Sequence, residues 1–364
     1  MFPHLYKSNR ISYNTGIIQE KENADDDSYQ ARIRSIKIWR KKNTCTIDGI
    51  KFETINELLT FHKITPIVIR KQAVKLKTPI KLASWEFTHK QVELSAKILG
   101  GGAFGEVRLG TLDLKSDGNL IRVAIKTLKI TSTEQKSQNK ALMAEARLSR
   151  VLIHPNVLRT YGVAIRQEPV YLISELCPGG SLYSVLRDPK QKHTTAQKVA
   201  WCVGSARGVE YLHANKYIHR DLAVRNVLLS EDRTAKISDF GMARQGDNYV
   251  LKYVTKTPVK YLAPETLKTF VFSPKSDVFT FGILIWEVFH DAAEPHAGLT
   301  TQQVIAMSKK GVFLTCNEKT PEPIRRLISQ RIFTVCPENR CNITEVIQRL
   351  EKVNEPEPKE VGKK

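Results

Sequence analysis

The sequence predicts an α+β fold. Three observations predict it. Val92 to Leu99, Val107 to Leu109 and Val123 to Lys126 are apolar-rich strand segments around a glycine-rich turn. Lys140 to Val151 then places Leu142, Ala146 and Leu148 on one helical face, and the apolar run from Val278 to His290 has the character of a buried central helix. Ahead of both, Tyr29 to Leu82 alternates apolar and polar positions and then gives a helical Ile55 to His62, which fits a small module of strands plus one helix.

At 364 residues the chain has length for two or three domains with proper cores. Its six cysteines (45, 177, 202, 316, 336 and 341) form no C-x-x-C pair, so neither a zinc site nor a disulfide framework is supported, and a reducing compartment is expected. The run from Val278 to His290 is interrupted by Glu287 and falls short of the roughly 20 residues a membrane span needs. Met1-Phe2-Pro3-His4 has no charged-then-apolar signal design, and Phe2 stands where myristoylation requires glycine, so a cytoplasmic protein is expected. The net charge of +20 is spread over the chain without aromatic interleaving, which argues against nucleic acid and leaves an attraction to acidic peptides. There are no internal repeats. The tail 354–364 is Pro, Glu and Lys without apolar period, the composition of a disordered segment.

The chemistry concentrates in His219-Arg220-Asp221-Leu222-Ala223-Val224-Arg225-Asn226, followed by Ser238-Asp239-Phe240-Gly241. These supply a base, its orienting neighbours and two metal ligands at the spacing of phosphoryl-transfer sites. Leu99-Gly100-Gly101-Gly102-Ala103-Phe104-Gly105-Glu106-Val107 fits G-x-G-x-x-G-x-V, where backbone amides can approach phosphates because no side chain intervenes. Alone, such a run also fits a hairpin turn or a dinucleotide fingerprint. The flanking strands favour strand-turn-strand, whereas a dinucleotide site needs a helix after the glycines. Val123-Ala124-Ile125-Lys126 ends an apolar strand on a lysine that can reach phosphates if a carboxylate holds it, and Glu145 on the following helix is the candidate. Asp221 would accept a substrate hydroxyl proton, while Asn226 and Asp239 offer oxygen ligands suited to Mg²⁺, with Mn²⁺ possible. Ala263-Pro264-Glu265 closes the segment, with Arg340 the expected buried partner of Glu265.

With these motifs in order, residues 92–353 resemble a complete protein kinase domain. The resemblance implies a bilobal fold, with a small lobe of antiparallel strands plus one helix and a mainly helical large lobe. It also implies ATP as cofactor and protein substrates. The ATP-binding set it implies runs from Leu99 to Val107 and adds Ala124, Lys126, Glu145, Leu228 and the hinge residues Glu175 and Cys177. Ala223 and Arg225, in place of the lysine common in Ser/Thr kinases, together with Pro258-Val259-Lys260, resemble tyrosine kinases. Phosphorylation of protein tyrosine follows as the expected function, against a non-catalytic ATP-binding scaffold. The retained Lys126, Asp221, Asn226 and Asp239 favour the enzyme. Tyr249, nine residues before Pro258, stands near the family's autophosphorylation site, with Arg220 as the expected phosphate partner and Tyr253 as runner-up.

Residues 1–82 are expected to form a separate module, joined by a linker at 83–91. Phe52 to His62 and Val74 to Ile80 resemble the second half of a Src homology 2 (SH2) domain, and Trp85-Glu86 the linker of non-receptor tyrosine kinases of the Fes/Fer type. The first half departs. The best register, Gly16 to Asn23, puts Lys21 where the family's phosphotyrosine-binding arginine belongs and Gln19 and Glu20 at apolar sites. A divergent or truncated copy is expected, with poor phosphotyrosine binding and a structural or docking role.

Some kinase positions depart as well. Ser174 stands at the gatekeeper before the hinge, Ser149 and Thr160 at positions of the apolar spine, Tyr261, Phe279 and Phe333 where Trp is usual, and Cys341 where Pro is usual. Each lost spine contact is expected to cost about 1 kcal/mol or more and to bias the helix of Glu145 outward.

Overall fold

The computed structural model describes residues 11–19, 32–41, 44–47, 49–69, 72–76, 82–102, 105–115, 117–128, 135–251 and 258–354. Two compact units divide the chain, Met1–Glu86 and Phe87–Lys364.

In the first unit β1 (Ile11–Gln19), β2 (Arg32–Lys41), β3 (Thr44–Ile47) and β4 (Ile50–Phe52) form an antiparallel meander in chain order. The alternation seen in the sequence has its reason in β3, where Cys45 and Ile47 are buried and Thr44 and Thr46 are not. They join Ile38, Phe52, Leu58 and Ile67 in one small core. Helix α1 (Ile55–Ile64) begins at Thr54, whose hydroxyl accepts the Glu57 amide at 3.1 Å, while Glu57 reaches back to the Glu53 amide at 2.8 Å. The hairpin β5 (Ile67–Ile69) and β6 (Gln72–Val74) follows. Of the tested register, Gly16 to Gln19 fall in β1, whereas Lys21 lies outside the described residues.

The second unit opens with a six-stranded sheet in the order β7-β11-β12-β10-β9-β8. Its strands are β7 (Glu86–Phe87), β8 (Val92–Gly102), β9 (Gly105–Asp113), β10 (Leu120–Leu128), β11 (Thr160–Ala164) and β12 (Tyr171–Glu175). Val123, Ile125 and Thr127 of β10 are buried, and Ile125 joins a core with Leu112, Ala164 and Ile173. The pleat puts Ala124 and Lys126 on the opposite face. Helix α2 spans Gln135–Ser149, starting earlier than the apolar period suggested because its first turns are polar. Gly105 is required by close approach, since a Cβ there would lie 2.1 Å from the Thr127 carbonyl oxygen.

The large lobe is mainly helical, with short strands between helices: β13 (Gly180–Ser181), α3 (Leu182–Arg187), α4 (Thr195–Ala214), β14 (Tyr217–Ile218), β15 (Val227–Leu229), β16 (Ala235–Ile237), β17 (Arg244–Gln245) and β18 (Tyr249–Val250). After these come α5 (Pro264–Thr269), β19 (Val271–Phe272), α6 (Pro274–Phe289), α7 (Thr301–Lys309), α8 (Glu322–Arg326) and α9 (Ile343–Glu351). Helix α6 is buried from Ser276 to Phe289, which is why its sequence is mostly apolar without being a membrane span. Among the described residues, no helix is long and apolar enough to cross a membrane. Phe279 and Phe333, at the unusual aromatic positions, pack with ring centroids 5.1 Å apart. Arg340 holds Glu265 in a two-pronged ion pair at 2.7 and 3.0 Å, as expected. Asn354 belongs to a last helical turn, Lys352–Asn354, and the rest of the expected tail lies outside the described residues.

Candidate active site

Two faces meet at the cleft between the lobes. On the small-lobe side, β10 delivers Lys126 and α2 delivers Glu145, and the ammonium contacts both carboxylate oxygens at 2.9 and 3.0 Å. Burial disfavours the lysine's charge, but Glu145 and then Asp239 more than offset this, so its pKa stands above the ordinary value. Glu145 is itself pushed up by burial, with Lys126 pulling the other way. β8 and β9 pair across the glycine turn at Gly102 and Gly105, and a Cβ at Gly100 would meet nothing within 4 Å. Gly100 therefore has open space where packing alone gives no reason for glycine. Ala103 and Phe104 lie outside the described residues. Leu99 is exposed, and Val107, Ala124 and Leu228, the last on β15, are half-buried.

On the large-lobe side the loop between β14 and β15 is fixed from beneath by α6. Asp277 accepts the His219 amide at 2.8 Å and the Arg220 amide at 2.9 Å, and Glu287 accepts the Val224 amide at 3.1 Å. Asp221 then has both carboxylate oxygens engaged, one by Arg225 at 2.5 Å and the other by the Asn226 amide at 2.9 Å. Asn226 also donates to the Asp221 carbonyl at 2.7 Å; these bonds use its NH₂ and leave the side-chain oxygen, the end that could face a metal, outside them. Ser238 ties the next loop to this one, donating to the Asn226 carbonyl from its amide at 2.8 Å and its hydroxyl at 2.9 Å. Asp239 follows with φ +61°, a conformation costly for a non-glycine residue, and its carboxylate lies 4.0 Å from Lys126.

Neither Asp277 nor Glu287 was expected at the site. Their signal was present: two acids on a mostly apolar helix have to be buried against partners.

The expected hinge residues begin at the last residue of β12. Glu175 accepts the Arg159 amide at 2.7 Å and pairs with Lys236 at 3.1 Å, and the Cys177 thiol is pushed up to about 12, chiefly by burial. Ser174 sits between Ala124 of β10 and Thr160 of β11 in register.

A second cluster surrounds Arg220. Its guanidinium donates to the Met242 carbonyl at 3.0 Å and lies over Phe272 at 4.1 Å and Tyr249 at 4.4 Å, while its Nε and Nη2 are buried without a hydrogen-bond partner. Burial, and then nearby Arg244, lower its pKa to about 10. Tyr249 is thus placed on Arg220, with Arg244 5.4 Å from the same ring; Tyr253 lies outside the described residues. Tyr261 donates to Glu287 at 2.8 Å and lies under the Arg225 guanidinium at 4.8 Å.

Residues 93–350 match the family described as protein tyrosine and serine/threonine kinase. Fer-related kinase 1 of Caenorhabditis elegans is 36% identical over 302 residues, 82% of this chain and 75% of its own. Tyrosine-protein kinase Fer of Rattus norvegicus is 38% identical over 312 residues, 85% of this chain and 37% of its own. The transforming protein Fps of avian sarcoma virus (strain PRCII), also a tyrosine-protein kinase, is 36% identical over 314 residues, 85% of this chain and 57% of its own. The chain belongs to the protein kinase family, whose members use ATP and a divalent metal. Within it the chain stands with the tyrosine-protein kinases Fer and Fps. It spans three quarters of the worm relative but only 37% of rat Fer.

Proposed function

We propose that the chain transfers the γ-phosphate of ATP to tyrosine hydroxyls of protein substrates in the cytoplasm. Lys126, held by Glu145, would bind the phosphates under the glycine turn, with Leu99, Val107, Ala124 and Leu228 around the adenine and the Glu175–Cys177 backbone as its edge partner. Asp221 would take the phenolic proton as the oxygen forms its bond to phosphorus and the bond to ADP breaks. Arg225 and Asn226 fix the carboxylate for that transfer. Asn226 and Asp239 suit a hard divalent ion. Their oxygen donors are those Mg²⁺ takes beside phosphates and water, and Mn²⁺ takes the same donors. Bound there, the metal would neutralise charge on the phosphate oxygens.

The observation that carries this reading is the formed Lys126–Glu145 pair at 2.9 Å, with Asp239 4.0 Å from the same lysine, together with an Asp221 that has both oxygens held, an arrangement a scaffold has no need to keep. Ala223, Arg225 and Pro258-Val259-Lys260 support tyrosine as the acceptor. The buried, unpartnered Nε and Nη2 of Arg220 support a phosphate site for Tyr249 once modified. The first unit has a separate core, and a structural or docking role is proposed for it. A match covering 85% of the chain also has to extend into that unit, since residues 87–364 make up about three quarters of it.

A peptide array incubated with purified protein, ATP and Mg²⁺ tests the reading. Label on tyrosine peptides is expected. ATP binding without label on any peptide would establish the scaffold instead.

A further inference from the structure

Ser149 and Thr160 stand where apolar contacts were expected, and their absence was expected to let α2 swing outward. The helix is instead seated, with Glu145 on Lys126 at 2.9 Å. The two side chains are almost fully buried, at 1% and 8% exposure, and bonded to each other. Thr160 Oγ1 donates to Ser149 Oγ at 2.8 Å, and Ser149 Oγ donates to the Glu145 carbonyl at 2.8 Å. The direction is fixed by counting protons: the single Ser149 proton is spent on Glu145, so Thr160 has to be the donor of the other bond.

The chain of bonds closes a ring. It runs from Thr160 on β11 to Ser149 and Glu145 on α2, and then through the Glu145 carboxylate to Lys126 on β10. β12 joins the two strands, because Ser174 is the register partner of both Ala124 and Thr160. The residue whose side chain holds the lysine is therefore the one whose carbonyl the hydroxyls hold.

We propose that Ser149 and Thr160 are positioning residues that set the last turn of α2, and with it the Glu145 carboxylate, by a hydrogen-bonded clamp in place of apolar packing. The inference rests on the reading of Lys126–Glu145 as the phosphate-holding pair. The asymmetry of the bonds gives it a signature. Ser149→Ala leaves a buried Thr160 hydroxyl with no acceptor, whereas Thr160→Val leaves only a spare lone pair on Ser149. Removing both hydroxyls leaves neither group stranded.

The test is steady-state kinetics and thermal melting of wild type, Ser149→Ala, Thr160→Val, Thr160→Ser and the double variant Ser149→Ala/Thr160→Val. Ser149→Ala is expected to lower kcat about five- to tenfold, the size of one stranded buried hydrogen-bonding group. The KM for peptide should stay within about twofold of wild type. Thr160→Val should lose less, Thr160→Ser should keep most of the activity, and the double variant should be more active than Ser149→Ala alone. Single variants at wild-type kcat, or losses that multiply in the double variant, would overturn the clamp while leaving the kinase reading intact. A wild type that binds ATP without turnover would overturn both. A kcat loss that follows the melting temperature across the series would assign the pair to stability alone.

Discussion

Glu287 is the residue most altered by its surroundings. Burial raises its pKa to about 7 against 4.5 for a free side chain, although Tyr261 and the Val224 amide favour the ionised form. The folded chain thus holds this proton more tightly than the unfolded chain does. The associated stability is fully present below pH 4.5 and is lost as the pH rises through 7, a swing on the order of 3 kcal/mol. Glu287→Gln keeps an acceptor for Val224 and an amide for Tyr261 but cannot titrate. Its melting temperature should depend less on pH between 5 and 8, and should gain on wild type toward the alkaline end. Parallel melting curves across that range would show that Glu287 titrates normally. Ser174 gives a second prediction at this scale. At the gatekeeper position its short side chain would leave room behind adenine, so Ser174→Met should weaken an adenine-like inhibitor bearing a naphthyl group at least about tenfold, roughly 1.4 kcal/mol, with the KM for ATP little changed. Equal inhibition curves would mean that the gatekeeper is another residue.

At the scale of elements, the catalytic loop was legible because its chemistry is written at fixed spacing: Arg225 and Asn226 both bond Asp221, four and five residues before them. What holds the loop was not legible. Asp277 and Glu287 reach it across 58 and 63 residues, and no local period encodes such a pairing. The same limit hid the bond between Ser149 and Thr160, two polar side chains that look like defects until the helix and strand are brought together. Helix α2 was found from its apolar face, but its start was misplaced because polar first turns carry no period. The segment after Asp239 carries its own prediction. β18 pairs Tyr249 with Phe272 of β19, and both rings cover Arg220. Phosphate on Tyr249 would exchange a ring contact for charge-assisted bonds to Nε and Nη2 of Arg220, reordering the segment. Incubation with ATP followed by mass spectrometry should find Tyr249 modified, and Tyr249→Phe should prevent activation by preincubation. If neither Tyr249 nor Tyr253 gains phosphate, this regulation is absent.

For the whole molecule, the two units each have a core of their own. The first unit should bind phosphotyrosine peptides only weakly, because a lysine at position 21 offers a point charge where a guanidinium would offer a fork. In a titration of the full chain with a phosphopeptide library, micromolar or tighter binding that is lost in Lys21→Ala would contradict this. The second unit carries the central claim, phosphoryl transfer to tyrosine by way of Asp221. The most direct measurement is the initial rate of labelling from γ-labelled ATP and Mg²⁺ for two peptides that differ only in tyrosine or serine at the acceptor, with wild type and Asp221→Asn. The tyrosine peptide should be labelled and the serine peptide left nearly untouched. Asp221→Asn should lower kcat by about 10² to 10⁴, the usual share of a general base, while still binding ATP. A faster rate on serine, or an Asp221→Asn variant as active as wild type, would contradict the account.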